Sequence, residues 1–311
     1  MNQLKGADGF DCFYGNLFQD RWQDLKTALL KPVCHVARIN GFADPGMISE
    51  LNPDRNPFDT QAAVLSRGGE KSFGFPVSMS YSGEFAVSPP VDSNGLKAYY
   101  LMDPASILPV RNLNIEPGHQ VADCCAAPGG KTLVMAEFLK ESGFIVANDR
   151  SRTRNSQLRR VLREYLPDRI RRNIKVTSYD AEKWCLYERD RYDRILLDAP
   201  CSSERHLLRK PSLLESWTPA RSRQLSRRQY TMLVSAYRML KPGGMIVYST
   251  CALSPLENQA VVERLIKKFS PKVALLPIHE TVGESQENGW QILPDLTSYG
   301  PIYFSVIQRL S

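Results

Sequence analysis

From residue 121 onward, short apolar runs alternate with long amphipathic segments, a rhythm that predicts a parallel sheet flanked by helices. The runs at 121–124, 145–148, 174–177, 194–197 and 245–249 read as strands, each followed by turn residues, and the run at 302–307 reads as a closing strand. Leu158, Val161, Leu162 and Tyr165 recur at helical spacing and predict a helix that is apolar on one side and carries arginines on the other. A second helix is marked by Leu225, Met232, Leu233, Ala236, Tyr237 and Leu240 and is ended by Lys241-Pro242-Gly243-Gly244; a third is marked by Val261, Val262, Leu265, Ile266 and Phe269. Upstream the pattern is irregular, with a helical stretch at 22–30 and many Gly and Pro between Pro45 and Pro90. The pattern therefore predicts a small leading region over residues 1–95 and a doubly wound α/β unit over residues 96–311.

Composition narrows the class. The chain has 311 residues, 42% of them hydrophobic, enough for a buried core, and no apolar run approaches the ~20 residues that a membrane span needs. Forty Lys and Arg against 33 Asp and Glu leave a net charge of +7. Residues 1–100 hold nine basic and eleven acidic residues, so the surplus lies downstream. Between Arg150 and Arg172 nine arginines meet only Glu164 and Asp168, which predicts an anionic partner, the plainer reading being a solvated helix face. Seven cysteines, with Cys124 and Cys125 adjacent, suggest neither a disulfide framework nor a C-x-x-C metal pair, and the four histidines show no ligand spacing. No metal is expected. The first twenty residues carry neither a signal-peptide apolar region nor an Arg-rich presequence, so the expected location is cytoplasmic, or the mitochondrial matrix for a mature organellar form.

In an open parallel sheet the ligand sits beyond the carboxyl ends of the strands, which directs attention to the turn after the first run. It reads Asp123-Cys124-Cys125-Ala126-Ala127-Pro128-Gly129-Gly130-Lys131-Thr132, small residues that let a ligand approach the backbone. A phosphate-binding Walker loop needs Gly five residues before Gly130, where this chain has Cys125. Asp149, Asp180 and Asp198 follow later strands, so with Asp123 four carboxylates gather at one rim. That charge disfavours a phosphate-rich dinucleotide and favours a cofactor bearing a sulfonium and an amine, S-adenosylmethionine, with Asp149 placed for the ribose hydroxyls. Taken singly, each Asp is as readily a helix cap.

Cys201 and Cys251 lie just past the fourth and fifth of these strands, with Asp198 three residues before Cys201. A single cysteine is usually a small buried hydrophobe. Two on adjacent strand ends suit a specific chemistry: carbon 5 of a pyrimidine is a poor nucleophile until a thiolate adds to carbon 6, assisted by a carboxylic acid near ring nitrogen 3.

The strings DCCAAPGGKT (123–132), ANDRS (147–151), DAPCSS (198–203), KPGGMIVYSTC (241–251) and LSPLENQAVV (253–262) resemble the Nop/Sun family of S-adenosylmethionine-dependent RNA cytosine-5 methyltransferases. AYYLMDPASILPV (98–110), DAPCSSERHLL (198–208) and YGPIYFSVIQRL (299–310) look like its compact members that act in mitochondria on small-subunit ribosomal RNA. The resemblance implies a Rossmann-like class I methyltransferase sheet with helices on both faces, preceded by a small, mainly helical N-terminal RNA-binding domain. It implies Cys251 as nucleophile, Cys201 as the residue that helps resolve the adduct, and Asp198 at ring nitrogen 3. It also implies a cofactor site of Cys125, Ala126, Ala127, Pro128, Gly129, Gly130, Lys131, Asp149, Arg154, Asp180 and Asp198. The substrate implied is RNA, small-subunit ribosomal RNA before transfer RNA, with room for a targeting protein partner. The stretch Arg205 to Arg228, seven basic residues against Glu215, would grip phosphates beside the site, with Trp217 either facing the RNA or packed in the core. A non-catalytic RNA-binding assembly factor of the same fold is the competing class.

Overall fold

The computed structural model describes residues 5–33, 35–47, 79–81 and 88–311, so most of the Gly- and Pro-rich stretch expected between Pro45 and Pro90 lies outside the described residues. Two helices, α1 (Gly6–Phe18) and α2 (Trp22–Leu30), open the chain. A three-stranded antiparallel sheet comes next, in the order β2 (Met79–Tyr81), β1 (Val36–Ile39), β3 (Tyr99–Met102). The main sheet is built by β4 (Gln120–Asp123), β5 (Phe144–Asn148), β6 (Ile174–Thr177), β7 (Tyr192–Asp198) and β8 (Leu240–Thr250), which run parallel in the order β6-β5-β4-β7-β8. Beyond β8 lies β12 (Ile302–Arg309), antiparallel to it, and then β11 (Gly289–Ile292) and β10 (Glu284–Gln286); β9 (Val273–Leu275) also pairs with β12.

The parallel strands are apolar because both faces are covered. Ile195, Leu196 and Leu197 of β7 and Ile246, Val247 and Tyr248 of β8 are all fully buried. On one face pack α3 (Gly130–Leu139) and α4 (Arg152–Tyr165), on the other α6 (Pro219–Met239) and α7 (Gln259–Phe269), each with its own apolar cluster. This is the Rossmann-like arrangement expected. Leu158, Val161, Leu162 and Tyr165 form the buried face of α4, whose start is capped by Ser151 accepting from the backbone of Arg154 at 3.3 Å. Pro219 opens α6, where its missing N–H costs nothing. The expected stop signal is partly displaced: α6 ends at Met239, and Lys241-Pro242-Gly243-Gly244 bulges from β8, since Leu240 pairs Tyr192 and Met245 already pairs Arg194.

The leading region is tied to the rest of the chain. It contains strands as well as helices, and β1 pairs with β3 on the far side of the boundary expected after residue 95. Phe10, Tyr14, Trp22, Leu25 and Leu29 of α1 and α2 share a cluster with Leu207, Trp217, Leu253 and Leu293. Arg21 bonds Glu284 and Asp295, and the buried Arg38 of β1 pairs with the buried Glu137 of α3.

Candidate active site

The strand order reverses between β4 and β7, and a crevice opens there at the carboxyl ends. Register aligns the rim: Asp123 pairs with Leu196, and Asp198 pairs with Ser249, so the loops after β4, β7 and β8 emerge side by side. A cavity of about 430 Å³ lies over them, lined among others by Cys125, Lys131, Arg154, Asp198, Cys201 and Cys251.

The loop after β4 is shaped from below. Asp123 is buried, accepts from Thr132 Oγ1 at 2.7 Å, and is pushed up to about 7 by burial and by the neighbouring Asp198, which outweigh the Thr132 bond. Gly129 sits at φ +122, against Leu158 and Val161, and a Cβ on Gly130 would meet the Tyr100 ring at 2.8 Å. These two glycines serve the turn and the packing of the loop. Of the expected loop residues, Cys125, Ala127 and Lys131 face the cavity; Ala126, Pro128, Gly129 and Gly130 are not among its lining residues.

Asp149 follows β5 and is buried. Its Oδ1 accepts from Ser151 N at 2.9 Å, whereas its buried Oδ2 lies 3.2 Å from Arg154 Nη1 without the alignment of a hydrogen bond. Arg154 also donates to the carbonyl of Ala127, so it bridges the first two loops. Asp180 lies further out, 3.5 Å from Arg150 Nη1, and accepts from Glu182 N at 3.2 Å in a cap-like turn.

Asp198 is held on both oxygens, by Lys131 Nζ at 2.8 Å and Ser249 Oγ at 2.7 Å. Burial alone would lower the Lys131 ammonium, but Asp198 reverses this and raises it. Cys201 and Cys251 meet across the cavity floor with their sulfurs 3.0 Å apart. Donation from Cys201 lowers the Cys251 thiol below its usual range against the opposing effect of burial, while the same contact, burial and the negative groups nearby raise Cys201. The contact therefore shifts the two thiols in opposite directions, Cys251 down and Cys201 up.

The basic helices begin at this rim on opposite faces of the sheet. Arg152, Arg159, Arg160 and Arg163 of α4 are exposed, as are Arg221, Arg223 and Arg227 of α6. Part of the second basic run is spent internally: Arg205 bonds the carbonyls of Leu29 and Gly300, Arg209 that of Lys31, and Arg228 pairs with Glu182 at 3.0 Å. Trp217 is 1% exposed and packs against Phe10, Phe13 and Tyr14, so of its two readings the core one is observed. Sequence reasoning missed Asp103 in the cavity wall, and Glu204 and Glu257 beneath the cysteines; Arg205, expected among the residues that grip phosphates beside the site, lines the cavity itself. Asp103 and Glu204 lie within strings that carry the family resemblance, and a carboxylate three residues past Cys201 was the available signal. No helix among the described residues is long and apolar enough to cross a membrane.

The model of the family 16S rRNA methyltransferase RsmB/F matches residues 110–308. A 5-cytosine rRNA methyltransferase NSUN4 of Bos taurus is 35% identical over 344 residues, covering 97% of this chain and 88% of that protein. A mitochondrial tRNA (cytosine(34)-C(5))-methyltransferase of Mus musculus is 30% identical over 322 residues, covering 97% and 89%. Among solved structures, a methyltransferase homologue from Pyrococcus horikoshii has a TM-score of 0.72 at 25% identity, covering 98% of this chain and 95% of that one.

Proposed function

The chain belongs to the RsmB/F family of 16S rRNA methyltransferases, and from that premise we propose that it methylates carbon 5 of one cytosine in small-subunit ribosomal RNA, with Cys251 as the attacking thiolate. It is an S-adenosylmethionine-dependent RNA cytosine-5 methyltransferase. The observation that supports the catalytic pair is the 3.0 Å contact of the two sulfurs in the cavity beside the ion-paired Asp198; the family resemblance supports Cys251 as the attacking member.

Bound S-adenosylmethionine supplies an electrophilic methyl group on a sulfonium. The residues present fit it: the buried Asp149 Oδ2, which accepts no hydrogen bond, suits a ribose hydroxyl, and Asp149, Asp180 and Asp198 favour its positive groups. Cys125, Ala127, Lys131 and Arg154 would form the wall on that side. The target cytosine must leave its stack to reach the cavity. Cys251 then adds to carbon 6, and the Lys131–Asp198 pair carries the proton that offsets negative charge developing at ring nitrogen 3. After methylation a base takes the carbon 5 proton and the sulfur–carbon 6 bond breaks; Cys201 lies beside that bond and assists release. Exposed arginines at the starts of α4 and α6 would hold phosphates on either side.

Similarity to the mouse enzyme supports transfer RNA as a second substrate reading, and the word mitochondrial in that name supports a matrix location. A protein partner would act in targeting. The test is transfer of labelled methyl to total RNA from methyltransferase-deficient cells, followed by bisulfite sequencing, for wild type and Cys251→Ala. A single Cys251-dependent cytosine in small-subunit RNA is expected; a labelled transfer RNA would move the substrate, and no transfer would favour the non-catalytic assembly factor.

A further inference from the structure

Two carboxylates lie beneath the cysteines and take no part in the addition or release at carbon 6. Glu204 and Glu257 are both fully buried. Glu204 opens the short helix α5 (Glu204–Leu208), and Glu257 lies two residues before α7. Burying a carboxyl group is costly unless its oxygens are satisfied, and the partners of Glu204 are specific. Its Oε1 accepts from Tyr14 Oη at 2.6 Å and from Ser202 Oγ, and its Oε2 accepts from Leu253 N at 2.9 Å. Ser202 adjoins Cys201, and Leu253 is two residues past Cys251. One carboxylate thus holds the loop after β7, the loop after β8 and helix α1. Glu257 Oε2 reinforces the first loop, accepting from Ser202 N and Gln229 Nε2, each at 3.0 Å.

We propose that Glu204 is a positioning residue for the cysteine pair, and that Tyr14 extends this role to the leading helix, so that the region ahead of the sheet helps set the distance between the two sulfurs. The inference rests on the reading of Cys251 and Cys201 as the catalytic pair. A sulfur–sulfur distance of 3.0 Å depends on two loops that leave different strands, and Glu204 is bonded to both. A longer separation weakens the sulfur contact that lowers the Cys251 thiol.

The test uses the full chain, an unmodified transcript of small-subunit ribosomal RNA and saturating S-adenosylmethionine. Glu204→Ala strands three donors and is expected to slow single-turnover methyl transfer roughly tenfold, with KM for S-adenosylmethionine within about twofold of wild type. Glu204→Gln keeps the acceptor for Leu253 N, while the hydroxyls of Tyr14 and Ser202 rotate to accept from its amide. It should recover to within about threefold of wild type, and Tyr14→Phe should lose about threefold. A second readout does not require catalysis. Diamide, a diazene, takes two electrons and two protons from neighbouring thiols and joins them as a disulfide; the rate of Cys201–Cys251 bond formation, followed by peptide mass, should fall in Glu204→Ala and be restored in Glu204→Gln. Wild-type rates of transfer and of disulfide formation in Glu204→Ala, or equal losses in the Ala and Gln variants, would overturn the proposal. Wild-type transfer by Cys251→Ala would instead sink the catalytic reading, and the diamide rates would still decide the role of Glu204.

Discussion

Replacing Cys201 with alanine removes the S–H donor 3.0 Å from Cys251 Sγ. That donor is the largest influence lowering Cys251; burial, Asp198 and Glu204 act the other way, and Ser203 gives a smaller lowering contribution. A hydrogen bond to a charged group contributes about 1.5–3 kcal/mol, with sulfur donors at the weak end, and one pKa unit corresponds to about 1.4 kcal/mol. Removing the donor disfavours the thiolate by about 1.5 kcal/mol, so Cys251 must hold its proton to higher pH. The assay is iodoacetamide labelling of Cys251, read by peptide mass across about pH 6 to about pH 10, in wild type and Cys201→Ala. An upward shift of the midpoint is expected. A midpoint that stays put or moves down would refute the reasoning, because the donor would then not be stabilising the thiolate. The same variant, given RNA and S-adenosylmethionine, should accumulate an RNA adduct that survives a denaturing gel.

Asp149→Asn keeps the turn to Ser151 but removes the anion, and should weaken S-adenosylmethionine binding about tenfold by calorimetry at unchanged melting temperature; equal affinity would take Asp149 out of the site. Trp217→Ala should cost about 3–5 kcal/mol of stability in urea unfolding, because it empties the centre of the cluster around Phe10, Phe13 and Tyr14. Full stability combined with weaker RNA binding would contradict that account.

The sheet was legible because its strands are buried on both faces and so read as apolar runs: the expected 174–177 is β6, and the expected 194–197 lies within Tyr192–Asp198. Cys201, Cys251 and Asp198 were legible because strand ends converge on one rim by topology. Features that depend on long-range pairing were not. Nothing local in Val36–Ile39 announces β3 as its partner, so the small sheet that joins the mainly helical leading region to the rest of the chain was not legible. Trp217 sits amid arginines in sequence, yet its ring belongs to a cluster completed by α1, more than 190 residues upstream. Gly129 and Gly130 are legible as small residues of a ligand-side loop, but the neighbours that also require them, Leu158, Val161 and Tyr100, come from elsewhere in the chain.

The contact of Arg21 with Asp295 spans 274 residues, and it bears on how the chain is born. As the polypeptide leaves the ribosome, α1 and α2 emerge early but lack Trp217, Leu253 and Leu293, the partners that cover their apolar faces. Those faces are not fully covered until Leu293 has been synthesised, a high contact order that slows the final closure and creates a window for chaperone capture. Tyr14 and Glu204 lie 190 residues apart in the chain, so the tie between α1 and the thiol pair is likewise a long-range contact that local structure alone cannot make.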